Sequence, residues 1–158
     1  MNKIDTPDGL KPVCVIPREK AVFRLDGQGF WRNAGGRFRL KKVIDYFHAA
    51  IDHDENGYYV IHDKGGIMEK VYFPYEDTAL FVFDVIIDKS IILVLNTKKR
   101  IELKPDNLFS ENDALYLTHE GHRIKFAERA LMKISGFISE KENRLVFEYS
   151  GKVYPLES

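Results

Sequence analysis

Apolar positions along this chain fall into two registers. Leu40, Val43, Ile44, Phe47, Ala50 and Ile51 recur at three- and four-residue spacing, which predicts a helix over 39–51 with one apolar stripe. Adding 87 to each number gives Ala127, Ala130, Leu131, Ile134, Phe137 and Ile138, all apolar, and predicts a second helix over 126–138. Asn56 coincides with Asn143 at the same offset, and a strand follows each, over 58–61 and 144–149. A repeated helix-then-strand unit predicts an internally duplicated architecture.

Between the two copies the pattern has the period of strands. Segments 79–87, 91–95 and 100–103 are rich in Phe, Val and Ile, and turn residues recur every eight to ten positions. That spacing predicts an antiparallel meander or partial barrel. Shorter strands are expected over 13–16, over 22–25 and 30–32 around Asp26-Gly27-Gln28-Gly29, and over 67–73 after Asp63-Lys64-Gly65-Gly66. Segment 108–113 reads as a turn or short helix, and 115–118 with 122–125 as a hairpin around His119-Glu120-Gly121. A last strand over 152–156 pairs with 144–149. Each helix, apolar on one stripe, covers one sheet face. The predicted class is α+β, with a duplicated helix-plus-antiparallel-strands unit and a strongly bent sheet. Residues 1–20 read as a lead-in, flexible over 1–12, with 21–76 as the first unit and 77–158 as the second.

A chain of 158 residues buries enough surface to stand without a metal or disulfide staple. Cys14 is the only cysteine, which excludes an internal disulfide and fits a reducing compartment. The first twelve residues lack the apolar core of a signal peptide, and no apolar run is long enough for a membrane span, so a cytoplasmic protein is expected. Net charge is zero but unevenly laid out. Residues 10–42 carry nine Lys/Arg against Glu19 and Asp26, whereas 43–88 carry ten Asp/Glu against Lys64 and Lys70. Pairing of the two stretches is one reading of this pattern and a polyanion site is the other; general nucleic-acid binding would need an overall basic surface.

The basic stretch holds the candidate chemistry. Gly35-Gly36 precede a helix whose start is crowded with Arg37, Arg39, Lys41 and Lys42, and helix N-termini disfavour cations. A bound phosphate or carboxylate would reverse that balance, and a cationic turn neutralised by the following acidic stretch is the alternative. Gly-Gly matches neither the P-loop nor the dinucleotide fingerprint. His119 and His122 lack a third ligand, so no metal and no cofactor is expected, and the five histidines read as structural or exposed. Glu76 and Asp77 are adjacent on a strand start, point to opposite faces and make a poor acid/base pair. Lys98-Lys99-Arg100 reads as a solvated turn.

The order Asp26-Gly27 before Trp31, Tyr46-Phe47, Asp54-Glu55-Asn56-Gly57-Tyr58, Glu69-Lys70 and Tyr75-Glu76-Asp77-Thr78-Ala79-Leu80, followed by Glu120-Gly121, Glu128-Arg129-Ala130 and Ser150-Gly151-Lys152-Val153-Tyr154-Pro155-Leu156, resembles the bacterial domain of unknown function family 1285 over about residues 22–156. The resemblance implies a duplicated core, a C-terminal half similar to a pleckstrin-homology barrel, a ligand crevice between the units and a role in signalling. It implies no catalytic residues. Where that family has a Gly-x-Pro-Ile step before the first helix, this chain reads Ala34-Gly35-Gly36-Arg37-Phe38, a departure that bears on which ligand is bound.

The expected function is a non-catalytic binding or sensor module for a small anionic ligand or a protein partner at the seam between the units. Trp31 would supply apolar contact, and Arg32, Arg37 and Arg39 charge-assisted hydrogen bonds, with Tyr58 and Asp77 as neighbours and Arg123 or Arg129 from the second copy. A small hydrolase-type enzyme using the same crevice and a protein–protein adaptor are the alternatives.

Overall fold

A computed structural model describes residues 2–4 and 12–157. The chain divides into two compact units, the first ending at Ala79 and the second beginning at Leu80. Most of the expected flexible lead-in lies outside the described residues.

The first unit contains β1 (Asn2–Ile4), β2 (Val13–Ile16), β3 (Phe23–Leu25), β4 (Trp31–Asn33), β5 (Gly36–Arg37), α1 (Lys41–Ala49), β6 (Ile51–Asp54), β7 (Gly57–Lys64) and β8 (Ile67–Tyr72). They form a five-stranded sheet ordered β1-β2-β8-β7-β6 and a three-stranded sheet ordered β3-β4-β5. All neighbours are antiparallel except β2 and β8, which run parallel with Val13 opposite Met68. The core of this unit is aromatic. Trp31 packs edge-on against Phe23, Phe47 and Phe73 with ring centroids 4.9–5.7 Å apart, and α1 lays Phe47 and the buried His48 against it.

The second unit contains β9 (Leu80–Ile87), β10 (Ile91–Leu95), β11 (Arg100–Glu102), β12 (Leu108–Glu111), β13 (Ala114–His119), β14 (His122–Phe126), α2 (Glu128–Ile134), β15 (Ile138–Lys141), β16 (Arg144–Tyr149) and β17 (Lys152–Pro155). A six-stranded sheet is ordered β11-β10-β9-β14-β13-β12, with a parallel join between β9 and β14. β15, β16 and β17 form a separate antiparallel sheet. Its aliphatic core joins Val82, Leu93, Leu117, Ile124, Phe126, Ala130, Ile134 and Phe147. Ala130 is fully buried on the α2 stripe. Ala130→Leu is expected to overpack this core and cost about 1–3 kcal/mol, read as a lower urea midpoint.

The structure is α+β, and none of the four sheets closes into a barrel. Segment 108–113, expected as a turn or short helix, holds strand β12 behind a single helical turn at Pro105–Asn107. Both helices end earlier than the apolar stripe does. Ile51 and Ile138 finish the helical spacing, yet each opens a strand, β6 and β15. A position that is apolar in either register does not reveal where the backbone switches from one to the other.

Candidate functional site

The three-stranded sheet of the first unit concentrates the residues that sequence reasoning singled out. Its registers are fixed by two turns. Phe23, Arg24 and Leu25 face Asn33, Arg32 and Trp31, and Arg32 and Asn33 face Arg37 and Gly36. Alternation along each strand sends Phe23, Leu25 and Trp31 to the inner face. The other face therefore carries Arg24, Arg32 and Arg37 in one row across all three strands. The Phe38 N–H donates to the Trp31 carbonyl at 2.9 Å, which continues the register one residue past β5, and the exposed Arg39 follows. Val22, exposed, immediately precedes β3.

Like charges directly opposite one another destabilise a sheet, so the row needs compensation. Asp26 provides part of it. This buried carboxylate accepts hydrogen bonds from Arg32 Nε at 2.7 Å and from the Gln28 and Phe30 N–H groups at 2.9 Å. Burial pushes its pKa up, but the Arg32 hydrogen bond and the two backbone donors outweigh burial and leave it below the usual carboxylate range. Glu76 lies 4.0 Å from Arg24 Nε and accepts the Gly27 N–H at 2.9 Å. Arg37 stacks over the Phe30 ring at 4.2 Å, and neither Arg37 nor Arg39 has a carboxylate partner among the described residues.

Trp31 does not stand on this face. It is 1 % exposed, its surface is taken up by the aromatic core, and its indole N–H has no acceptor among the described residues. Tyr58 packs against Tyr75 and His53, and burial followed by the Tyr75 hydroxyl pushes its own hydroxyl up to about 12, so it holds its proton at neutral pH. Asp77 is half-buried in the segment after β8. Arg123 and Arg129 belong to the second unit. Arg123 is held 3.2 Å from Glu111 and 3.9 Å above the Tyr116 ring, which stacks with Phe109. Arg129 is exposed and 3.8 Å from Asp84, whose pKa is lowered first by the Lys133 hydrogen bond. Arg24 was missed by sequence reasoning. Its signal was the strand alternation around the four-residue Asp26–Gly29 turn, which aligns it with Arg32.

The other polar clusters are internally engaged. Asp54 accepts from Lys70 Nζ at 2.7 Å, Tyr72 Oη at 2.6 Å and the Asn56 N–H at 2.9 Å, and these bonds, Lys70's foremost, hold its carboxyl at about 2. His62 sits 2.9 Å from Glu69. Among the described residues no three His, Cys, Asp or Glu side chains come together to hold a metal ion. No helix among them is long and apolar enough to cross a membrane.

A crystal structure of a DUF1285 family protein from Silicibacter pomeroyi DSS-3 superposes with a TM-score of 0.61 at 14% identity, over 99% of this chain and 89% of that one. The chain has the DUF1285 fold. A second DUF1285 family protein, from Shewanella baltica OS155, matches at a TM-score of 0.50 and 16% identity, over 73% of this chain and 91% of its own. No family profile and no curated protein matches the sequence. At these identities the DUF1285 likeness is one of fold.

Proposed function

We propose that this chain is a non-catalytic recognition module whose outer β3–β5 face binds an anionic partner. The observation that carries the reading is a charge imbalance built into a defined register. Three guanidinium groups, Arg24, Arg32 and Arg37, share the face with two carboxylates, Asp26 and Glu76, and a fourth, Arg39, follows just past β5. Arg32 is committed to Asp26, which fixes the turn, and Arg37 and Arg39 are left to offer charge-assisted hydrogen bonds outward. A row of arginines that served structure alone would be expected to carry matching acids. The adjoining start of α1 adds cations where the helix itself disfavours them: Lys42 has no acidic partner among the described residues, and no side chain caps the helix at Leu40.

Recurrence of the α1, β6, β7 order as α2, β15, β16 at an offset of 87 supports descent of the two units from one ancestor. The copies differ at their helix starts. Leu40 is 70% exposed and Val43 37%, whereas Ala130, the counterpart of Val43, is fully buried. Specialisation of the first copy for surface recognition accounts for this difference.

Inorganic tripolyphosphate tests the reading. It is expected to raise the thermal midpoint of the full chain by several degrees, since a ligand that binds only the folded state stabilises it by mass action. Arg37→Ala with Arg39→Ala is expected to remove most of that rise while leaving the ligand-free midpoint within a degree or two, both side chains being exposed. A midpoint unmoved by tripolyphosphate, or moved equally in the variant, overturns the proposal.

A further inference from the structure

The arginine face is not purely polar. Phe30, 39% exposed, stands on it beneath the Arg37 guanidinium, Val22, 79% exposed, immediately precedes β3, and Leu40 follows Arg39 at 70% exposure. Among the described residues of the first unit, the large exposed apolar side chains, Val22, Phe30, Leu40, Val43 and Tyr46, all fall within residues 22–46, interleaved with Arg24, Arg37, Arg39 and Lys42. A soluble anion gains nothing from exposed Val and Phe. A phosphate-bearing lipid surface gains from both kinds of group, because cations meet headgroups while short apolar side chains reach the acyl boundary.

Resting on the anion-binding reading above, we propose that the partner is an anionic lipid surface, met by the outer β3–β5 face with Val22, Phe30 and Leu40 as apolar contacts and Arg24, Arg37 and Arg39 as headgroup contacts. Three aspects of the geometry favour a surface over a single small ligand. The face is a sheet, so its side chains stand side by side, about 5 Å apart between strands, rather than converging on one point. The two outer strands contribute Arg24 and Arg37 on either side of β4, which matches more than one headgroup at once. The Arg37 guanidinium already lies against the Phe30 ring, so the charged and apolar contacts sit at one level above the sheet. An acidic protein segment would share the charge complementarity, but it would be better served by a groove than by an open ladder of side chains.

Vesicle sedimentation with the full chain is the test. Phosphatidylcholine vesicles are compared with vesicles in which about one lipid in three is phosphatidylglycerol. Binding is expected only to the second kind and is expected to fall steeply with added salt. Val22→Ser with Phe30→Ser is expected to weaken it at least tenfold while the variant still melts cooperatively. Arg37→Gln with Arg39→Gln is expected to weaken it by about fivefold per arginine. Equal sedimentation with both vesicle types, none with either, or affinity unchanged in the Val22/Phe30 variant overturns the lipid assignment. If vesicles fail while tripolyphosphate still raises the midpoint through Arg37 and Arg39, the anion-binding reading stands and the lipid surface falls; if both fail, both fall. Tighter binding of a polyglutamate peptide than of vesicles, lost in the Val22/Phe30 variant, assigns the face to an acidic protein partner and also overturns the lipid surface.

Discussion

Trp31→Ala is expected to cost the first unit about 3–5 kcal/mol, the largest effect of any single change foreseen for it. The indole fills the centre of the aromatic cluster, touching the Phe23, Phe47, Phe73 and His48 rings, and its removal leaves a hole that rigid rings from three separate chain segments cannot collapse into. Urea denaturation followed by circular dichroism checks this as a large fall in midpoint. Trp31→Phe is the informative contrast. It loses ring volume but also deletes an N–H that has no acceptor among the described residues, a group whose burial costs about 1–3 kcal/mol by itself. The Phe variant is therefore expected to lie much closer to the parent than to the Ala variant. Equal losses in the two would mean that the cavity is not the governing quantity.

The second large effect is expected at Asp26. Asp26→Ala removes the acceptor for Arg32 and for the Gln28 and Phe30 N–H groups at once, which leaves Arg32 facing Arg24 and Arg37 without its acid. The expected cost is about 2–4 kcal/mol. The pH dependence has a definite sign. Because folding lowers the Asp26 pKa from its usual 3.8, its contribution is present in full above that value and is lost as pH falls through the lower folded pKa. Trp31 is the only tryptophan and sits in the same unit, so its emission reports the acid transition directly. The Ala variant is expected to lose stability at neutral pH and to show a shallower fall below pH 3.8 than the parent does. An identical acid profile in the two proteins would assign the transition to other carboxylates.

Much of the secondary structure was legible because its signals are local. The α1 stripe, the Asp26–Gly29 turn and the β-rich middle follow from periodicity and turn chemistry that a short window contains. The helix ends were not, since Ile51 and Ile138 satisfy the helical stripe and the opening position of a strand equally well. β12 was missed because Leu108 and Phe109 follow Pro105 and Asn107, and the turn signals outweighed a strand of four residues. Parallel pairing of β2 with β8 and of β9 with β14 links segments more than forty residues apart, and strand direction over that distance leaves no trace in local pattern. For the candidate site, composition revealed the cationic stretch but not its geometry. Trp31 reads as surface when seen beside Arg32, yet strand alternation, with Trp31 opposite Leu25, turns it inward. The same rule turns Arg24 outward to complete a row that no single window displays.

The parallel joins also set the order in which a growing chain can finish. Hairpins β3–β4, β6–β7 and β7–β8 need only neighbouring residues and can close as soon as they leave the ribosome. Strand β2 has only β1 as an early neighbour: its parallel mate, Met68–Val71, is made more than fifty residues later. Until then its buried Cys14 and the inner edge of β8 lack each other. Non-local closure of this kind is slow relative to hairpin formation. The β2–β8 join is thus the least local closure in the five-stranded sheet, and it waits on one of the unit's earliest-synthesised strands.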